Sequence, residues 1–168
     1  MMSADLLADA FDRIKSVVGR ALDGLTDEEL ATRVEPGANT IGWLVWHLTR
    51  IQDDHICAAA GIEQAWTSQG WYDRFGLPFE PSEHGYGHSA EQVAEVRVSA
   101  ELLRDYHDAV HARTKDYVAT LSDVDYDRIV DTSFDPPVSL GVRLVSVISD
   151  DLQHAGQAGY VKGLLQRR

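Results

Sequence analysis

Residues 41–60 read IGWLVWHLTRIQDDHICAAA, an apolar segment with the periodicity of a helix. Asn39 or Thr40 can cap its N-terminus, and Gly61 follows its last residue. We therefore predict a long buried helix from Ile41 to Ala60. The side chains expected to face the interior are Leu44, Val45, Leu48, Ile51 and Ile56.

Three other segments have the same helical spacing of apolar residues. They are residues 4–22, a segment from Ser89 to about Leu121, and a segment from Leu140 to about Leu165. Between the first two long helices, Thr26 to Glu29 has the form of a capping box and predicts a short helix. Four long helices without a convincing strand pair predict an all-α four-helix bundle, with residues 1–168 forming a single domain.

The connection between the second and third main helices is long and rich in aromatic residues. It runs from Ile62 to His88, and its aromatic content argues against disorder. We expect it to form the wall of a small-molecule pocket, with Tyr86 and His88 as substrate-binding residues. The alternative is that its aromatic residues only fasten the connection to the bundle. These residues are Trp66, Trp71, Tyr72, Phe75, Phe79 and Tyr86.

Composition and charge disfavour several classes of function. The chain has 15 Lys and Arg against 27 Asp and Glu, a formal net charge of −12. Such a surface repels nucleic-acid phosphates and anionic lipids, so we expect neither nucleic acid nor membrane as a partner. A single cysteine, Cys57, cannot form an intramolecular disulfide. With no secretory signal and no membrane-length apolar segment, the sequence predicts a cytoplasmic location.

Three residues have the chemistry of a metal site. Asp150 and His154 lie four apart on the last predicted helix, about 40° apart around its axis, so both can address one point. His47 lies in an apolar segment, where its imidazole needs a polar partner. A divalent ion held by two imidazoles and a carboxylate would satisfy all three residues. The spacing is also common on helix surfaces, so a structural pair is the alternative.

Structural roles are predicted for the remaining candidates. Asp151 is expected to be a solvated acid. His107 and His111 share a helix face without an obvious third ligand, and we expect them to be exposed or packed against aromatic rings. His55 is expected to lie outside the metal site, and Cys57 to be a small buried residue.

Four motifs of the chain are shared with a known family. They are Leu25-Thr-Asp-Glu-Glu-Leu30, Pro36-Gly-Ala-Asn-Thr-Ile-Gly-Trp43, Trp46-His-Leu48 and Asp150-Asp-Leu-Gln-His-Ala-Gly-Gln157. With these motifs the chain resembles the DinB-like superfamily of metal-binding four-helix bundles, which includes YfiT-like metal hydrolases and mycothiol-dependent maleylpyruvate isomerases of actinobacteria. The resemblance implies that His47, Asp150 and His154 are the metal ligands. Many such proteins have histidine where this chain has Asp150, whereas the maleylpyruvate isomerase type has an acid there.

The resemblance also implies a function. We expect a metal-dependent thiol transferase or isomerase, in which a divalent ion activates a low-molecular-weight thiol such as mycothiol for attack on an electrophile. Zinc is the expected ion and nickel the alternative. The other functions left open are a metal-dependent hydrolase and a non-catalytic, stress-related bundle that binds metal or a small molecule. A homodimer is a further implication, and no catalytic residue is assigned.

Overall fold

The structure, a computed structural model, describes residues 2–167 and is predominantly helical. A 3₁₀ turn, Asp123–Asp127, and a small antiparallel strand pair, β1 (Ile129–Asp131) and β2 (Val138–Ser139), precede the last helix. None of the helices between residues 2 and 167 combines the length and the apolar character that a membrane crossing requires. The helices are α1 (Ser3–Leu22), α2 (Asp27–Leu30), α3 (Ile41–Ala60), α4 (Ala65–Ser68), α5 (Trp71–Phe75), α6 (Ala90–Glu95), α7 (Ala100–Val118) and α8 (Leu140–Leu165).

The four long helices form the predicted bundle. Helix α1 packs against α7 and α8, and α3 packs against the same two helices, so α1 and α3 occupy opposite corners. The prediction of an all-α four-helix bundle is confirmed. The arrangement makes α3 and α8 neighbours, which brings His47 close to the last helix. Core side chains that are almost fully buried include Phe11, Ile14, Leu44, Leu48, Tyr106 and Leu144.

The third main helix begins later than the sequence predicted. The segment that begins after Ser89 ends with α6 at Glu95, and α7 starts after a second cap at Ser99. The hydroxyl of Ser99 accepts a hydrogen bond of 3.1 Å from the backbone N–H of Leu102. Val96 has a non-helical backbone conformation and is buried. The prediction of one continuous helix was therefore wrong, because Ser99 caps the N-terminus of a separate helix, α7.

Helix α3 is buried on nearly every side because the connection that follows it returns across its outer face. Two polar side chains of α3 hold that connection. Arg50 donates hydrogen bonds to the backbone carbonyls of Glu83 and Pro81, both at 3.2 Å. Asp53 accepts hydrogen bonds from the backbone N–H groups of residues 65 and 66 at 2.9 and 2.8 Å. The connection is thus partly helical, with α4 and α5, rather than irregular throughout.

A short strand pair, which the sequence analysis did not predict, leads into α8. Ile129 pairs with Ser139 and Asp131 with Val138, with a register shift between the two pairs. Ser139 also caps α8, since its hydroxyl accepts a hydrogen bond from the N–H of Val142. The strand pair therefore places the first turn of the helix that carries Asp150 and His154.

Candidate metal centre

The structure brings together the three residues that the sequence proposed as metal ligands. His47 lies on α3, and Asp150 and His154 lie on the facing side of α8. One ligand atom from each lies within 4.8 Å of the other two. The two imidazole ring centroids are 4.8 Å apart, and Nε2 of His154 lies 3.6 Å from Oδ1 of Asp150. Within residues 2–167, the three residues form the one cluster of this kind.

The orientation of His47 is fixed by contacts on both sides of its ring. Its Nδ1 lies 2.5 Å from the carbonyl oxygen of His84. A carbonyl can only accept a hydrogen bond, so Nδ1 carries the proton and the lone pair of Nε2 is free. The indole of Trp43 stacks on the imidazole at 4.6 Å. Burial lowers the pKa of His47 to about 4, which keeps the ring neutral, as metal ligation requires.

His154 is oriented by a second partner in the same way. Its Nδ1 lies 2.9 Å from Oε1 of Gln157, which leaves Nε2 on the side of Asp150. Interaction with the Asp150 carboxylate raises the pKa of His154. Burial acts to raise the pKa of Asp150, but the combined interactions with His154, His47 and His55 lower it below its usual value. The pair therefore offers an ionised carboxylate and an imidazole whose protonation depends on pH.

The donor set fits a divalent metal ion. Oδ2 of Asp150 is buried and has no hydrogen-bond partner among residues 2–167. Both imidazoles present Nε2 and have Nδ1 held by an oxygen acceptor, which is the usual arrangement of metal-ligating histidines. Two imidazoles and one carboxylate from rigid helices are ligands of catalytic zinc sites. The cluster can therefore hold a metal ion and still leave a coordination position open.

A cavity of about 520 Å³ lies beside the cluster and shares Asp150 with it. Its wall includes His55 on α3 and Arg143 on α8. Nη2 of Arg143 lies 2.5 Å from Oδ2 of Asp131, so β1 helps to position the guanidinium. The exposed rings of Tyr86 and Phe134 also line the cavity. His55 lies outside the three-residue cluster, as the sequence analysis expected.

The connection contacts the centre, but its two predicted substrate-binding residues differ in position. Tyr86 lines the cavity and is 87% exposed. The side chain of His88 is only 4% exposed; its Nδ1 accepts a hydrogen bond from Nε1 of Trp43 at 3.2 Å, and its Nε2 donates to Glu83 at 3.1 Å. The structure therefore gives His88 two protein partners and no place on the cavity wall. Substrate contact by either residue remains a prediction.

Most aromatic residues of the connection fasten it to the bundle. Trp66 packs on Tyr106 of α7 with ring centroids 5.2 Å apart, and Phe75 packs on the same ring at 5.5 Å. Of the six aromatic residues, Tyr86 alone is exposed, while Tyr72 is half-buried. The first part of the connection is therefore scaffold, and its end lies beside the metal centre with Tyr86 on the cavity wall.

Gly85 is a determinant of the site that the sequence analysis missed. Its φ is +97°, and a Cβ atom there would lie 2.8 Å from Nδ1 of His47. It would also lie 3.0 Å from the ring of Trp46 and 3.1 Å from that of Trp43. Only glycine lets the connection approach His47 this closely. The repeated glycines of the segment from Gly85 to Gly87 were the available signal.

The prediction that Asp151 is a solvated acid was wrong. Its side chain is fully buried, and neither carboxylate oxygen has a hydrogen-bond partner in the described part of the chain. Burial raises its pKa well above the usual value. One step along α8 rotates a side chain by about 100°, which turns Asp151 into the bundle while Asp150 faces the cavity.

The alternative that His107 and His111 are exposed was wrong, because both are buried, and their rings stack on each other with centroids 6.4 Å apart. Nε2 of His107 has no hydrogen-bond partner within residues 2–167, and Nε2 of His111 lies 2.8 Å from Oδ1 of Asp12. Neither belongs to the metal cluster. Cys57 is confirmed as a small buried residue, and burial raises its pKa to about 11.

Comparisons with known proteins agree with this architecture. A crystal structure of a conserved protein from Enterococcus faecalis is 32% identical in sequence and superposes with a TM-score of 0.93. The match covers 100% of this chain and 99% of that one. A comparison with curated protein sequences finds no significant match. Among protein families, the DinB superfamily matches residues 10–158, and the chain therefore belongs to the DinB superfamily.

Proposed function

We propose that the protein is a metal-dependent thiol transferase or isomerase. Its metal ligands are His47, Asp150 and His154, the expected ion is zinc, with nickel as the alternative, and its cosubstrate is a low-molecular-weight thiol such as mycothiol. When bound, such an ion supplies an open coordination position that lowers the pKa of a thiol. A cosubstrate of this kind is compatible with a reducing compartment such as the cytoplasm.

One observation carries the proposal: the donor cluster opens onto a cavity through Asp150. The cavity of about 520 Å³ is large enough for a small molecule, and it lies on the side of α8 that faces α3. Both ligand histidines have Nδ1 engaged, so no rearrangement of their rings is needed for ligation. A preorganised donor set beside a cavity is the arrangement that a catalytic metal site requires.

The state of Cys57 supports an external thiol. It is the single cysteine of the chain, it is buried, and its Sγ donates a hydrogen bond of 3.4 Å to Asp53. Its pKa is raised to about 11 by burial, so its thiolate is scarce at neutral pH. If the chemistry uses sulfur as the nucleophile, the thiol must therefore enter the cavity from solution.

The cavity wall provides groups that can hold the second substrate. Arg143 is the cationic side chain that faces the cavity, and its pairing with Asp131 fixes the guanidinium in place. A guanidinium in this position can donate two hydrogen bonds to a carboxylate. The aromatic rings of Tyr86 and Phe134 cover apolar parts of the same molecule. We expect an electrophile that carries a carboxylate close to its reacting carbon.

The first test is metal content. The protein is purified without a histidine tag, and its metals are measured by mass spectrometry. We expect one divalent ion per chain, which is lost in His47→Ala. The matched control is His111→Ala, which removes a histidine of another helix face that bonds to Asp12 and should retain the metal. Equal metal loss in both variants would contradict the assignment of His47 as a ligand.

The second test separates the three candidate activities. The cobalt-substituted protein is titrated with mycothiol and with glutathione while the visible spectrum records thiolate ligation. Turnover of carboxylate-bearing electrophiles is then measured with and without the thiol. Thiol-dependent turnover supports the proposal, and turnover that needs no thiol identifies a hydrolase. A metal-loaded protein without turnover of any substrate offered, and without thiol ligation, would favour the non-catalytic alternative.

A further inference from the structure

The cavity beside the metal cluster contains a histidine to which the proposed function gives no role. His55 follows His47 on α3 by about 12 Å along the helix axis. It lines the same cavity as Asp150, although it does not belong to the ligand cluster. Its side chain is 29% exposed, so part of the ring remains open to a molecule in the cavity.

A carboxylate on one side orients the imidazole of His55. Oδ2 of Asp54 lies 3.4 Å from Nδ1 of His55. The other oxygen, Oδ1, accepts a hydrogen bond of 2.7 Å from the side-chain amide of Gln64, which holds the carboxylate in place. An ionised carboxylate only accepts hydrogen bonds, so it favours the tautomer of His55 that carries its proton on Nδ1. The lone pair of Nε2 is then available to accept a proton.

The surroundings of His55 keep its ring mostly neutral at neutral pH. Burial is the largest effect, and it lowers the pKa of His55 below the usual value of 6.5. Arg143 of α8 and His84 of the connection lower this pKa further, whereas Asp54 and Asp150 oppose them. A neutral imidazole with an unprotonated nitrogen is the form that can accept a proton from a reacting group.

The other nitrogen-bearing side chains of the cavity wall present donors rather than acceptors. The second imidazole on the wall is that of His84, and its Nδ1 accepts a hydrogen bond of 3.4 Å from the backbone N–H of Tyr86. Neutral His84 therefore carries its proton on Nε2. Arg143 pairs with Asp131, and a guanidinium has no acceptor atom. His55 is thus the imidazole of the wall whose free nitrogen can accept a proton.

From this arrangement we propose that His55 is the general base of the cavity and that Asp54 positions it. The inference rests on the proposed function, because the proton that Nε2 accepts is that of the entering thiol. The S–H bond breaks, its electron pair stays on sulfur, and the sulfur forms a bond to the electrophilic carbon. The electron pair displaced from that carbon goes to a leaving group or to a neighbouring atom. The proton then passes from Nε2 to that group or to solvent, so His55 ends the step neutral and no further reactant is needed.

The first test is the pH profile of thiol alkylation by the zinc-loaded protein, with mycothiol as the thiol and chloroacetate as the electrophile. We expect the wild-type kcat to fall as the pH drops through the pKa of His55 and to be constant above it. His55→Gln should lower kcat by about 100-fold or more and remove this pH dependence, with zinc content and melting temperature unchanged. The matched control is His111→Gln on α7, a histidine that bonds to Asp12 and should be replaceable without a change in kcat or in the pH profile.

The second test does not need turnover. Heteronuclear NMR of the purified protein, labelled at histidine, shows which nitrogen of His55 carries the proton, and we expect Nδ1 in the wild type. Asp54→Asn keeps the oxygen that accepts from Gln64 but turns an amide donor toward His55. The proton of His55 should therefore move to Nε2, and kcat should fall as it does in His55→Gln.

The outcomes distinguish this inference from the proposed function. A His55→Gln variant with the wild-type kcat and pH profile would overturn the role of His55 and leave the thiol transferase activity itself intact. A wild-type protein with the His55 proton on Nε2 would overturn that role as well. A zinc-loaded wild type that does not accelerate thiol alkylation would instead contradict the proposed function, and the inference that rests on it would then be wrong too.

Discussion

The carbonyl oxygen of His84 lies 2.5 Å from Nδ1 of His47, so a backbone atom of the long connection sets the tautomer of a candidate metal ligand. The proton stays on Nδ1, which leaves Nε2 as the nitrogen of His47 that can bind a metal. Because the acceptor is a backbone oxygen, substitution of the His84 side chain does not remove this hydrogen bond. The link depends instead on Gly85, whose conformation lets the connection come this close.

We predict that Gly85→Ala weakens metal binding as well as the fold. The added methyl group would lie 2.8 Å from Nδ1 of His47, so the connection or the imidazole must shift. The backbone conformation, with φ at +97°, adds a cost of about 1 kcal/mol for a residue with a side chain. Competition with a metal chelator measures the affinity, and urea unfolding measures the stability.

Gly87→Ala is the control for this prediction. Its φ is +77°, so it carries a similar backbone cost, but its Cβ would meet no atom within 4 Å. We expect a loss of stability with unchanged metal affinity. Equal metal affinities for the two variants would show that the close approach of Gly85 does not position His47.

A second prediction concerns Gln157, which orients His154. Gln157→Ala removes the acceptor of the His154 Nδ1 proton, and we expect metal affinity to fall by about 10- to 100-fold. Gln153→Ala on the same helix is the matched control, because Gln153 bonds only to Ser149 within the described chain. Isothermal titration with zinc measures both. Equal zinc affinities for the two variants would show that Gln157 does not help to position His154.

The third prediction is that His154 sets the pH dependence of metal binding. Its pKa is raised by Asp150, so protons compete with the ion as the pH falls through that raised value. His47, with a pKa of about 4, stays neutral over that range. Metal affinity should fall by about tenfold per pH unit below the pKa of His154, and more steeply near pH 4. Affinity unchanged between about pH 7 and pH 5 would contradict ligation by His154.

A fourth prediction separates the two sequence-proposed substrate residues. Tyr86→Ala removes an exposed ring from the cavity wall and should raise KM or weaken ligand binding without changing the melting temperature or metal content. His88→Ala removes two hydrogen bonds and aromatic packing and should lower the melting temperature. Steady-state kinetics and thermal melts measure both effects. A Tyr86 variant with unchanged ligand binding would assign the connection a scaffold role only.

The last prediction concerns His107, a buried imidazole remote from the metal centre. Burial lowers its pKa to about 3, with His111 and Lys15 adding to the effect and Asp108 opposing it. In the unfolded chain this imidazole binds a proton as the pH falls through about 6.5, whereas in the folded chain it stays neutral. The free energy of unfolding therefore falls as the pH drops below that value. His107→Leu should remove this loss, about 2.5 kcal/mol between pH 7 and pH 4.5. Urea unfolding at both pH values measures it, and parallel losses in variant and wild type would contradict the prediction.

Local patterns in the sequence were enough to predict the long helices. Helix α3 has the predicted bounds, and Thr40 and Ser139 are the N-caps. The break before α7 was not predicted, because the apolar periodicity continues through Val96. Ser99 can cap a helix only if the residues before it are not helical, and the sequence pattern did not show that they are not. The burial of Asp151 was not predicted either. Helical spacing shows on which side of α8 the side chain lies, but not which element packs against that side.

By itself, the sequence determined the bundle and the identity of the three candidate ligands, because apolar periodicity, caps and the spacing of Asp150 and His154 act over a few residues. Only the tertiary structure decided how those ligands are oriented. The contact between His84 and His47 joins residues 37 apart in the chain, and the clearance at Gly85 depends on three side chains of α3. The cavity beside Asp150 arises in the same way. It depends on which side of each helix the packed bundle leaves open, which a linear pattern does not specify.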